Sequence, residues 1–367
     1  MSRAADPVRD AHPAETPATS ATPATAATAV TEVTAASGGG QDPDRGGPGA
    51  DGHSPAARVA AWAELLRLPA LFTVPGDVLA GAATTGVRAG PRTLLAIGSS
   101  LCLYQAGMAL NDWADRAEDA AERPHRPIPS GRVHPAAALT AACGLTATGL
   151  VLAARAGRPA AAVAVPLAAT VWAYDLALKH TPAGPAAMAA ARGLDLLLGA
   201  AATGGDVRVA VPSAALLGTH TLAVTAVSRE ETRGGSSLAP LAALATTGLL
   251  ARLVAHRPPR LPADRREAAS PGLPGPTDRR GDGSGPSAGR ATAALAAGYA
   301  ATAARPYFHA ALNPSPQLTQ RAVGGGIRAT IPLQAALTAR AGRPATALLI
   351  AALAPLGRKF ARKVSIT

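Results

Sequence analysis

Residues 93–110, TLLAIGSSLCLYQAGMAL, carry no charged side chain, and windows of this kind recur along the chain. A helix needs about 20 predominantly apolar residues to cross roughly 30 Å of hydrocarbon. A helix packed on a soluble core would keep a charged face toward water. Between residues 94 and 255 most segments lack that face, so the chain reads as an all-α, polytopic integral membrane bundle. Spans are expected near 62–86, 93–114, 135–155, 159–178, 184–203, 211–229, 236–255, 291–312, 318–340 and 344–358, the last two being weak, so that about nine, or at most ten, transmembrane helices are expected. The first contains Asp77 and two prolines, which predicts a broken or cavity-lining helix rather than a plain anchor.

The remaining segments have a different composition. Residues 1–57 are rich in Ala, Thr, Pro, Gly and Asp and offer almost nothing to bury, so a disordered tail without a signal peptide is expected. Residues 257–290 combine Pro, Gly, Arg and Asp without periodicity, as a flexible insertion would. This leaves a transmembrane domain over 58–358 and a basic C-terminal tail over 359–367. The formal net charge of +12 does not point to nucleic acid, because the basic residues are scattered through tails and loops; anionic lipid headgroups are the expected partner. Cys102 and Cys143 both lie in apolar segments and read as packing residues. The distribution of basic residues predicts that the loop after Asn111 faces the cytoplasm of a bacterial cell membrane.

The second apolar segment ends in NDWADRAEDAAERPHRPIPSGRV. At about 100° per residue, Asp112, Asp115 and Asp119 fall within roughly 60° of one another on a helix face. Three stacked carboxylates at a membrane helix end call for a cation among them. Hard oxygen ligands favour Mg2+, with a diphosphate completing its shell. Arg123 and Arg126 follow in a proline-stiffened loop, where guanidinium groups suit phosphate. The alternative is a solvated helix end with surface ion pairs.

NDWADRAED fits NDxxDxxxD, and with RPHRPIPSGRV after it the chain resembles the UbiA superfamily of membrane prenyltransferases over about residues 60–358. The resemblance implies an all-helical fold and Mg2+-dependent binding of a prenyl diphosphate through Asn111, Asp112, Asp115 and Asp119. The family's second acidic motif, DxxxD, falls on VSREETRGGSS, where Ser228 and Thr232 stand at the two aspartate positions. Glu230 and Glu231 are displaced candidates for a second metal, beside Arg229 as a substrate-binding residue; the alternative is an exposed charged turn. SREETRGG and LYQAGMALNDWAD look like the EboC-like branch of the superfamily. In AYDLALKHTPAGP, Tyr174, Asp175 and Lys179 match the family's basic element in kind. The resemblance implies that Lys179 neutralises the departing diphosphate and Tyr174 contacts substrate; the alternative for Lys179, and the reading for His180, is a cytoplasmic loop residue.

Asp195 is read either as cavity-facing or as one half of a local pair with Arg192, and Asp77 as pocket or packing. His220 and His309 read as core or interface residues. Phe72, Trp113, Trp172 and Tyr174 are the aromatic candidates for stabilising a carbocation. The implied reaction is prenyl transfer from a prenyl diphosphate to an unidentified acceptor. A non-catalytic membrane protein that binds isoprenoid diphosphate, and a small-molecule transporter, are the alternatives. A CDP-alcohol phosphotransferase is excluded, since its DGxxAR signature is absent.

Overall fold

The structure is a computed structural model that describes residues 54–230, 236–256 and 286–364. The expected tail and insertion therefore fall almost entirely outside the described residues. Twelve α-helices are described: α1 Pro55–Leu65, α2 Val74–Thr84, α3 Pro91–Ala114, α4 Arg116–Glu122, α5 Pro135–Ala156, α6 Arg158–Ala173, α7 Gly184–Ala202, α8 Val211–Ser228, α9 Leu238–Ala255, α10 Pro286–Leu312, α11 Pro316–Arg340 and α12 Pro344–Val364. Three of the expected boundaries move: α1 begins inside the 1–57 tail, α10 begins inside the 257–290 insertion, and α12 continues past 358.

Ten of these helices begin with proline in the first turn, where its missing N–H would be unpaired in any case. The first apolar segment is broken, as its prolines predict: a 3-10 turn over Leu68–Thr73 separates α1 from α2. Among the described residues, five helical segments are long and apolar enough to cross a membrane: Pro91–Ala114, Pro135–Ala156, Arg158–Leu178, Val207–Ser228 and Leu238–Ala255. Val151, Val165, Leu249 and Leu253 point outward from them, as lipid-facing side chains would.

Helix α7 lies between two apolar cores. Leu196 and Ala200 pack with α8–α11, while Leu198 and Ala201 pack with α2, α3, α5 and α6. Alanine-rich contacts let the helices approach closely. The α2–α7 contact is the extreme case, since a β-carbon on Gly81 would collide with the Leu196 carbonyl and one on Gly199 with that of Val78.

Buried polar side chains tie the same helices together. Arg192 does not pair with Asp195. Its Nη1 lies 2.8 Å from Asp77 Oδ2 on α2, and Gln334 Nε2 on α11 donates to Asp77 Oδ1 at 2.6 Å and to the Thr73 carbonyl at 2.8 Å. Asp195 accepts instead from Ser100 Oγ on α3 at 2.7 Å. His220 is a core residue, bridging Tyr299 Oη at 3.1 Å and the Gly326 carbonyl at 3.0 Å, whereas His309 is exposed.

Candidate functional site

The NDWADRAED stretch is not one helix. Helix α3 stops at Ala114, Asp115 takes φ −85° and ψ 1°, and α4 starts at Arg116. Aspartate competes poorly for helix interiors, and Arg116 holds the break by donating Nη1 to the Trp113 carbonyl at 2.7 Å while stacking 4.5 Å above the Trp113 ring. The turn nonetheless carries across, because Asp115 N donates to Asn111 O at 2.9 Å and Asp119 N to Asp115 O at 2.8 Å. The three aspartates thus remain neighbours at the mouth of the bundle.

Each has a cation from the chain itself. Asp112 Oδ1 lies 2.8 Å from Arg67 Nη2 and 3.9 Å from Arg126 Nη1. Asp119 is held by Arg126 at 2.9 Å and by Arg123 at 3.6 Å. Asp115 is paired with Lys179. Beside the cation expected among the carboxylates, the chain thus supplies countercharge of its own. Arg67 escapes the sequence reading. It sits in a left-handed turn, φ 47°, and also donates to Met108 Sδ at 3.7 Å. The RPHRPIPSG loop holds its place because Arg132 donates to both Glu64 carboxylate oxygens, at 2.7 and 3.2 Å, and to the His125 carbonyl at 2.6 Å.

The donor set fits a hard cation. Asp112, Asp115 and Asp119 offer carboxylate oxygens, and Asp115, Glu118 and His180 can place one ligand atom each within 4.8 Å of one another. Glu118 and His180 join the site only in three dimensions. Partial burial, then the charge of Asp115, raises the Glu118 carboxyl above its usual range.

Lys179 reaches Asp115 because α6 runs into a π-helical turn, Tyr174–Leu178, closed by Lys179 N donating to Tyr174 O at 2.9 Å. Such bulges recur at functional sites. This one buries Tyr174 and Asp175 and leaves Leu176 outside. Asp175 Oδ1 accepts from Asn111 Nδ2 at 3.2 Å.

Below the aspartates runs a cleft of about 690 Å³, counting the space open to the outside. Its walls are apolar, formed by Leu103, Met108, Leu167, Val171, Met188 and Ala191. Asn111, Tyr174 and Asp175 line one end, and Ser100, Arg192 and Asp195 the other. At 1.5 Å per helical residue, Ser100 and Asn111 are about 16 Å apart along α3. Of the aromatic candidates, Tyr174 lines the cleft and Tyr104 joins it there; Trp113 is engaged by Arg116, and Trp172 donates to Thr146 Oγ1 at 3.1 Å.

The second acidic region is covered only up to Glu230; Glu231 and Thr232 lie outside the described residues. Ser228 is buried and donates to the Thr225 carbonyl at 2.8 Å, and Arg229 donates to the Thr181 carbonyl. Among the described residues, Glu230 joins no group of potential metal ligands.

The sequence profile of the UbiA prenyltransferase family matches residues 70–252. The chain is similar to the digeranylgeranylglyceryl phosphate synthase of Natronomonas pharaonis, 34% identical over 168 residues, which cover 45% of this chain and 61% of that protein. It is also similar to the enzyme of that name from Methanopyrus kandleri, 36% identical over 129 residues, covering 34% of this chain and 46% of the other. The chain thus spans about half the length of the curated relatives it matches. These names differ from the EboC-like branch that the motifs resemble. Among solved structures, a digeranylgeranylglyceryl phosphate synthase superposes with a TM-score of 0.52 at 17% identity, covering 77% of this chain and 98% of that one. A UbiA homologue from Archaeoglobus fulgidus bound to GPP and Mg2+ gives a TM-score of 0.51 at 18% identity, covering 76% and 99%. These likenesses show the all-helical fold.

Proposed function

The chain carries a UbiA prenyltransferase family domain over residues 70–252, and from this we propose that the protein transfers a prenyl group from a prenyl diphosphate to an acceptor within the membrane. The observation that carries the reading is the meeting of Asp112, Asp115 and Asp119 with Arg67, Arg123, Arg126 and Lys179 at the mouth of an apolar cleft.

In this reading Asp112, Asp115 and Asp119 hold Mg2+, with Glu118 beside Asp115, and Glu230 and Glu231 are the candidates for a second ion. When bound, Mg2+ would screen the diphosphate and draw charge onto its leaving oxygen. Arg67, Arg123, Arg126 and Lys179 would contact the phosphate oxygens, the arginines by paired N–H contacts. Tyr174 and Arg229 complete the contacts to substrate. The apolar walls take the isoprenoid chain and exclude water that would quench an allylic cation. The loops bearing both motifs face the cytoplasm. The names of the relatives further suggest an acceptor of the glyceryl phosphate class.

Mass spectrometry of lipids from cells fed labelled isoprenoid precursors, with and without the protein, tests the reading. A labelled prenylated lipid that depends on the protein and disappears with Asp115→Ala is expected. Identical lipid profiles in the two strains would count against transfer.

A further inference from the structure

The cleft has two polar ends, and the proposed function draws on only one of them. At the other, Ser100 Oγ on α3 donates to Asp195 Oδ2 on α7 at 2.7 Å, and Arg192 lines the wall beside them. Asp195 is 7% exposed, and its Oδ1 has no hydrogen-bond partner among the described residues. Arg192 is held by Asp77 at 2.8 Å, behind the wall, yet its side chain keeps 16% of its surface exposed. By their positions along α3, α6 and α7, the apolar side chains of Leu103, Val171, Met188 and Ala191 lie between these groups and the mouth. An apolar passage therefore ends on a guanidinium and a carboxylate oxygen that lacks a donor.

Hydrocarbon covers such an end only at a loss. A methylene group pressed onto Asp195 Oδ1 and Arg192 removes them from water and offers no hydrogen bond in return. Higher in the cleft the balance is reversed, because each isoprene unit placed between the apolar walls leaves water and tightens binding. The two effects change over at a length that the helix sets. Ser100 and Asn111 are about 16 Å apart along α3. An extended chain advances about 1.1–1.2 Å per bond, so the four bonds of an isoprene unit take about 4.5 Å and about three units fit.

We propose that Ser100, Arg192 and Asp195 form a polar floor that limits the prenyl diphosphate to about three isoprene units, a farnesyl chain. The inference rests on the prenyl-transfer reading and narrows its prenyl donor. The mouth fixes the diphosphate, and the floor measures the tail behind it. Asp77 does not touch the chain in this arrangement: it is fully buried, it is fixed by Gln334 on α11, and it holds Arg192 in place.

The test uses the full chain in lipid nanodiscs with Mg2+. Unlabelled GPP, farnesyl diphosphate and geranylgeranyl diphosphate compete with radiolabelled GPP, each corrected for its partition into protein-free nanodiscs. Apolar burial alone would tighten binding at every step. Wild type should instead bind geranylgeranyl diphosphate weaker than farnesyl diphosphate by about tenfold or more, equivalent to about 1.4 kcal/mol. Ser100→Ala combined with Asp195→Leu replaces the floor by hydrocarbon and leaves Arg192 on Asp77, so the ratio should fall to about threefold or less. Ala191→Leu adds bulk one turn above Asp195, about 6 Å higher, and should move the drop in affinity to the step from GPP to farnesyl diphosphate. Geranylgeranyl diphosphate that binds wild type as tightly as farnesyl diphosphate would overturn the floor. A folded double variant that binds GPP and keeps the full wild-type ratio would overturn its assignment to Ser100 and Asp195. If the double variant does not fold, Ala191→Leu decides, and an unchanged order of affinities there would overturn the proposal. A wild-type protein that binds none of the three compounds removes the prenyl-transfer reading itself.

Discussion

Arg67 sets the charge balance at the mouth. It is 5% exposed, in a left-handed turn, with its guanidinium 2.8 Å from a carboxylate that is itself 5% exposed. Arg67→Ala leaves Asp112 with Arg126 at 3.9 Å as its remaining cation. Removing one partner from a buried pair costs about 3–5 kcal/mol, so the variant should melt well below wild type in detergent, and added Mg2+ should recover part of the loss. A melting temperature unchanged from wild type would show that the pair contributes nothing. The sequence conceals this residue for a physical reason. Asp112, Asp115 and Asp119 announce themselves by helical spacing, but the Arg67–Asp112 contact joins two segments 45 residues apart, and no periodicity encodes it. Glu118 and His180 are hidden in the same way, being assembled around Asp115 by the folding of α4 and the loop after Lys179.

Helix α7 shows what the apolar windows convey and what they omit. Its extent, expected as 184–203, is observed as Gly184–Ala202, because proline at the start and a run of small apolar residues define it locally. Its partners are not local. Arg192 lies three residues from Asp195, which suggested a pair, yet α2 brings Asp77 within 2.8 Å and takes the guanidinium. Arg192→Met should therefore destabilise strongly by leaving Asp77 buried without its cation, and adding Asp77→Asn should return much of the loss. If the two changes are simply additive in thermal unfolding, the pair is not coupled. Backbone contact between α2 and α7 gives a second prediction. Gly199→Leu forces a side chain onto the Val78 carbonyl and should cost at least about 1–3 kcal/mol, whereas Gly248→Ala meets nothing within 4 Å and should gain roughly 0.5–1 kcal/mol from helix propensity. Melting temperatures of the two variants, in opposite directions from wild type, check the contrast. The span expected to end at 114 does end there as α3, but the short helix that carries Asp119 was not legible: the aspartate spacing alone reads as one helix, and the Arg116–Trp113 contact shows where the chain turns.

The described residues form an all-helical bundle with the aspartates at its mouth, and most of that architecture was carried by charge-free windows, prolines and the aspartate spacing. The second acidic region was less legible because its glutamates are displaced from the family pattern and no periodicity fixes their partners. Deleting residues 259–283 should leave transfer activity within about twofold of wild type, since composition of this kind builds no core and α9 and α10 pack directly against each other. Loss of activity would make the segment part of the site. In the proposed function the aspartate mouth binds a prenyl diphosphate through a divalent cation. Equilibrium binding of radiolabelled GPP to the purified full chain, with Mg2+ and with EDTA, for wild type, Asp112→Ala and Asp115→Ala, tests it most directly. Wild type should show saturable binding that is lost with EDTA and in both variants, while both remain inserted in the membrane. Binding that survives EDTA, or that either variant retains at wild-type strength, would contradict it.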